Sequence, residues 1–113
     1  MTVAELSSLL SLEPLSGETG MDREISGGYV SDLLSDVLGR IKDGYLWITM
    51  QSHMNVMAIA ALRDLPAVLI VNGTTPAQEV IQKARDEGIA LLGTSLSAFE
   101  AAGLIYNELN RQA

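Results

Sequence analysis

No cysteine occurs among the 113 residues. Disulfides, zinc–thiolate centres and cysteine nucleophiles are excluded, and a cytoplasmic home is expected. Basic side chains are scarce: seven Lys and Arg stand against fourteen Asp and Glu, for a net charge of −7. Without a basic footprint, nucleic acid is not an expected partner. Aromatic residues make up only 4% of the chain while hydrophobic residues reach 48%, so the core must be built from Ala, Leu, Ile and Val. The apolar runs are too short to cross a bilayer, and Met1 to Glu5 lack the basic region of a signal peptide. No membrane association is expected. A phosphate loop is also missing, because Gly73-Thr74-Thr75 lacks the lysine and glycine spacing of a Walker motif. Gly17, Gly20, Gly27 and Gly28 are too loosely placed for a dinucleotide fingerprint. Asp32 and Asp36 share a predicted helix face, a weak metal signal that solvated surface explains better. No cofactor, metal or enzyme activity is expected.

What is present alternates between two periods. Thr2 and Glu5 have capping-box spacing, and Leu6, Leu9 and Leu10 follow on one helical face. Leu12 to Ser16 reads as a brief edge strand because of Pro14. Turns dominate from Gly17 to Gly28, and Ile25 to Val30 reads as a strand that Gly27-Gly28 should weaken or bulge. Ser31 is the expected N-cap of a helix carrying Leu33, Leu34, Val37, Leu38 and Ile41, with Asp32 in its first turn and Gly39 at its C-terminal end. Tyr45 to Thr49 and Ala67 to Val71 are apolar on both faces, as central strands are. Between them, His53 to Arg63 reads as a helix. Thr75 and Pro76 should cap and open the next helix, with Val80, Ile81 and Ala84 buried and Glu79–Lys83 paired outside. Gly88 ends it, and Ile89 to Leu92 is a last strand. Ser97 and Glu100 form another capping box, ahead of a helix with Phe99, Ala102, Tyr106 and Leu109 on one face and a frayed end from Asn110 to Ala113. The alternation predicts a three-layer α/β/α domain spanning 1–113, with a mostly parallel central sheet.

In such sheets ligands bind beyond the carboxyl ends of the strands. Two polar corners fall there: Thr49, Gln51, Ser52, His53 and Asn55 after one strand, and Asn72, Gly73 and Thr74 after the next. If the strands are adjacent, both corners share one rim. Helix N-termini at that rim would present amides to a small anionic ligand such as a nucleotide. Capping and turning the chain would enrich the same residue types, so a rim with no ligand is the competing reading. His53 is the sole histidine; alone at a helix start it supports a phosphotransfer role only weakly.

The helix between the corners is apolar almost all round. Met54, Met57, Ala58, Ala61 and Leu62 form one face, and Val56, Ile59 and Ala60 cover much of the rest. Such a helix needs cover on more than one side. A second copy of the chain would supply it, and so would the N-terminal segment or the last helix.

Gly28-Tyr29-Val30-Ser31-Asp32-Leu33-Leu34-Ser35-Asp36-Val37-Leu38, the strand-corner-helix Ile48 to Ala61, and Leu69-Ile70-Val71-Asn72-Gly73-Thr74-Thr75-Pro76 together resemble a DRTGG domain, as does Ala98-Phe99-Glu100-Ala101-Ala102-Gly103. The resemblance runs from Gly27 to Tyr106. It implies a fold similar to the N-terminal domain of HPr kinase/phosphorylase, homodimerisation and no catalysis of its own. Ser52-His53 stand where the family's Asp-Arg pair is expected, and Val71-Asn72-Gly73 stand at its Thr-Gly-Gly corner. The expectation is a regulatory, homodimeric module that senses a small anionic ligand or docks onto a partner protein.

Overall fold

The computed structural model describes residues 1–111. Among the described residues five helices and five strands follow one another: α1 (Val3–Leu10), β1 (Glu13–Pro14), β2 (Gly27–Val30), α2 (Leu34–Arg40), β3 (Tyr45–Thr49), α3 (Met54–Leu62), β4 (Ala67–Ile70), α4 (Gln78–Glu87), β5 (Ala90–Gly93) and α5 (Ala98–Arg111). Both capping boxes form. The Thr2 hydroxyl accepts from the Glu5 amide at 3.1 Å while the Glu5 carboxylate accepts from the Thr2 amide at 2.9 Å. Ser97 and Glu100 exchange the same pair of bonds at 3.2 and 3.1 Å. Each box occupies two helix-end amides that have no partner within the helix.

The strands lie in the order β1-β5-β4-β3-β2. β2 to β5 are mutually parallel, and β1 closes one edge by pairing antiparallel with β5. Side chains alternate across each strand, so the sheet carries two cores. Trp47, Val68, Ile70 and Leu91 pack under Val37 of α2, Val56, Met57 and Ala60 of α3, and Val80, Ile81 and Ala84 of α4. Leu46, Ile48, Leu69, Ala90 and Leu92 pack on the other side with Val3 and Leu6 of α1 and Ala101 and Ile105 of α5. The architecture is the expected three-layer one, with α2, α3 and α4 on one face and α1 and α5 on the other. No helix among the described residues is long and apolar enough to cross a membrane.

Several local expectations are corrected. α2 starts at Leu34, not after Ser31: Leu33 stands at its N-cap in extended conformation without a side-chain cap bond, and the Ser31 hydroxyl accepts from the Leu33 amide at 3.1 Å ahead of the helix. Asp32 therefore lies outside the helix and shares no face with Asp36. Gly39 is helical, and α2 runs on to Arg40. β2 does not bulge; its register runs unbroken from Gly27 opposite Tyr45 to Val30 opposite Ile48. The Tyr45 ring lies only 2.5 Å from where a Cβ on residue 27 would sit, so glycine there makes room for the ring. α4 starts at Gln78 behind Ala77, later than Thr75-Pro76 suggested, and Lys83 pairs with Glu87 at 2.9 Å, not with Glu79. α5 buries Ala101 and Ile105, while Phe99 and Tyr106 are 89% and 70% exposed. It stays helical to Arg111; of the expected frayed end, 112–113 lie outside the described residues.

On α3, Val56, Met57 and Ala60 face the sheet. Of the apolar face that Met54, Met57, Ala58, Ala61 and Leu62 form, Met57 is buried while Met54, Ala58 and Leu62 are exposed. The N-terminal helix and the last helix lie across the sheet from α3, so neither is its second cover.

Candidate functional site

β3 and β4 are adjacent and parallel, with Thr49 opposite Ile70. The two polar corners therefore share the carboxyl rim of the sheet. The β3–α3 corner is tied to the end of β2 through Asp32. Its Oδ1 accepts from the buried Thr49 hydroxyl at 2.7 Å and from the Met50 amide at 2.8 Å. Thr49 Oγ1 in turn accepts from the Gln51 amide at 3.1 Å, and the Gln51 side chain reaches the Asp32 carbonyl at 3.5 Å. Trp47, fully buried below this corner, donates from Nε1 to the Ser31 carbonyl at 2.8 Å. On the helix side of β2, Tyr29 donates to Asp36 at 2.8 Å, and that bond raises the phenol above its ordinary pKa. Sequence reasoning assigned Asp32 to a helix turn and missed it here. The signal was available: Ser31-Asp32 is a third polar pair directly after a strand.

The β4 corner is closed in a similar way. Asn72 and Gly73 both take positive φ, 63° and 68°. The Asn72 amide donates to the Leu96 carbonyl at 2.9 Å and the Gly73 amide to the Thr94 carbonyl at 2.8 Å. The Thr74 amide bonds to the Val71 carbonyl at 3.4 Å. Among the expected site residues, then, Thr49 and the backbones of Gln51, Asn72, Gly73 and Thr74 hold the loops together. His53 is the residue before α3, and its side chain makes no cap bond. His53, Asn55 and the side chains of Asn72 and Thr74 are exposed, and Ser52 is half-buried. α3 is also a helix with no acidic residue in its first turn, whereas Asp36, Glu79 and Glu100 stand in the first turns of α2, α4 and α5.

Positive charge is gathered at one end of the sheet, while carboxylates stand at both ends. Arg40, Arg63 and Arg111 stand at or just beyond the C-terminal ends of α2, α3 and α5, and Lys83 and Arg85 in the second half of α4. Lys42 lies in the α2–β3 loop, and Arg23 donates to the Asp64 and Leu65 carbonyls of the α3–β4 loop at 3.0 and 3.1 Å. All seven cationic side chains thus sit toward the amino end of the parallel strands. At the rim are exposed Glu13, Asp32, Glu79 and Glu100. Exposed apolar side chains fringe the same end: Val30 (49%), Leu33 (65%), Met50 (49%), Met54 (40%) and Phe99 (89%). Sequence reasoning did not anticipate this fringe.

A second feature it missed is a cavity of about 440 Å³ between β2 and α5, lined by Gly28, Val30, Tyr45, Ile105, Tyr106 and Leu109 among others. Gly28 leaves room on its wall: a Cβ there would meet only the Leu46 carbonyl oxygen, at 3.9 Å.

No known family model matches the sequence, and no curated protein does. Among solved structures, the fold is similar to that of the CBS and DRTGG domains of the regulatory region of Clostridium perfringens pyrophosphatase, complexed with its activator diadenosine tetraphosphate. The TM-score is 0.70 at 18% identity, over 92% of this chain. This chain spans 45% of the length of that regulatory-region chain. The likeness establishes the α/β architecture and supports a DRTGG-like fold.

Proposed function

We propose that this chain is a non-catalytic regulatory module that works as a homodimer and receives its signal at the carboxyl rim of the sheet. The observation that carries the reading is its likeness in fold to a regulatory region. Docking of a partner protein is the kind of signal favoured by the apolar fringe, since clustered exposed apolar groups mark interaction sites. A small anionic ligand is the second kind. It is favoured by the uncompensated N-terminus of α3, by the donors of Ser52, His53, Asn55, Asn72 and Thr74 beside it, and by the nucleotide activator of the pyrophosphatase region.

A thermal-shift screen of mononucleotides, diadenosine polyphosphates and phosphorylated metabolites separates the two. A saturable rise in Tm that His53→Ala and Asn72→Ala abolish supports the ligand reading. A hit indifferent to both substitutions moves the site away from this rim. No hit leaves docking as the signal. Reproducible nucleotide hydrolysis that disappears in His53→Ala would overturn the non-catalytic reading altogether.

A further inference from the structure

A shallow hollow of about 330 Å³ lies on the rim half of α5, lined by Leu96, Phe99, Glu100, Gly103 and Leu104. Gly103 forms its open floor: a Cβ added there would meet nothing within 4 Å. Phe99 at its edge is the most exposed large apolar side chain of the molecule among the described residues. Glu100 brings a carboxylate to the wall, and its capping bond to the Ser97 amide uses only Oε1. Elsewhere along the same rim stand exposed apolar groups at Val30, Leu33, Met50 and Met54 and carboxylates at Glu13, Asp32 and Glu79, and every Lys and Arg lies toward the opposite end.

Hydrophobic association alone would not select a partner from this surface. Charge does: an acidic partner, a nucleic acid or an anionic membrane would meet like charge, whereas a cationic partner would be steered in and held in register. We propose that the carboxyl end of the sheet, centred on the hollow beside Phe99, docks an amphipathic helical segment of a partner protein with Lys or Arg flanking its apolar stripe. An apolar side chain of that segment fills the hollow and a neighbouring cation reaches Glu100. The inference rests on the docking form of the proposed function and names the chemistry of that partner.

The test uses a designed amphipathic helix of about 15 residues, made of Leu and Lys, and a counterpart with Glu in place of Lys. Amide shifts of the full chain are followed during titration. The Leu/Lys peptide is expected to perturb 30–33, 50–54 and 96–104, and to bind about tenfold more weakly when the ionic strength rises from about 0.05 to about 0.3 M. Gly103→Leu fills the hollow and Phe99→Ser removes its edge. Each should weaken binding at least about tenfold while the rest of the amide spectrum stays in place. Leu33→Ser is a second-site control, because serine suits an N-cap and α2 folds at least as well with it; it should weaken binding less than the α5 variants.

Equal binding of the Leu/Glu peptide at the rim would overturn the charge inference and leave rim docking standing. Shifts confined to the amino end would overturn the site. Concentration-dependent shifts at 99–104 without peptide would make a second copy of the chain the occupant. If neither peptide touches the rim while the nucleotide screen gives a hit lost in His53→Ala, the docking form of the function falls with it.

Discussion

Asp32 joins two corners of the rim through a single oxygen. The Thr49 hydroxyl is buried, so without the carboxylate it loses its acceptor in a place water reaches poorly. Hydrogen bonds to a charged acceptor contribute about 1.5–3 kcal/mol each and are not additive when shared. Asp32→Ala should therefore cost about 2 kcal/mol in urea unfolding, and Asp32→Asn, which keeps an acceptor oxygen, distinctly less. A loss within a few tenths of a kcal/mol for the alanine variant would show that water replaces the carboxylate at this corner. Residue identity made this interaction hard to read in advance. Ser31-Asp32 ahead of an apolar repeat matches a helix start, and only the parallel pairing of β2 with β3 brings Asp32 beside Thr49.

Among the elements, the central strands were the most legible. Tyr45–Thr49 emerges with its expected bounds, and the run from Ala67 loses only Val71 to the loop, because an apolar β-branched run has few other places to go. Helix faces were less so. In α5 the large side chains Phe99 and Tyr106 set the expected apolar stripe, yet Ala101 and Ile105 are the residues buried against the sheet, and Phe99 and Tyr106 point to solvent. The capping boxes were legible because both partners lie three residues apart, and they give a pH dependence. Hydrogen bonds from Thr2, from the backbone first and then the hydroxyl, hold Glu5 below the ordinary carboxylate value, and Ser97 does the same for Glu100. A carboxylate lowered in the folded state adds stability above its unfolded pKa, and that stability is lost as pH falls through the folded value. Thermal unfolding followed from neutral pH to below about pH 4 should show this loss. Glu5→Gln with Glu100→Gln keeps the capping geometry without the titration, so its acid-side fall in Tm should be shallower. An identical pH profile would mean the boxes are already frayed before the carboxyls protonate.

For the molecule as a whole, the gathering of positive charge at one end follows from topology. α2 to α5 all begin at the carboxyl rim, and cations favour helix C-termini, so Arg40, Arg63, Arg85 and Arg111 all fall at the other end. The composition showed a deficit of positive charge but not its address, which needs the direction of every helix. The sheet topology also bears on self-association. α1 and α5 pack across the sheet, leaving Ala58 and Leu62 of α3 exposed, the latter at 72%, with Leu38 of neighbouring α2 at 39%. A specific interface buries on the order of 1,200 Å² or more in total, so a dimer built on nine-residue α3 must extend over α2 or α4 as well. Two-fold packing would bring the α3 faces together, each copy covering the other's small and flexible apolar side chains. Light scattering at micromolar concentration should give twice the 12.1 kDa chain mass. Leu62→Asp should return it to a single chain mass, since two carboxylates would be brought face to face. Leu62 is exposed in the single chain, so the substitution should change monomer stability by no more than about 0.5 kcal/mol, and circular dichroism should stay unchanged. A single chain mass for the unsubstituted protein would sink the dimer; a dimer that survives Leu62→Asp would place the interface on another face.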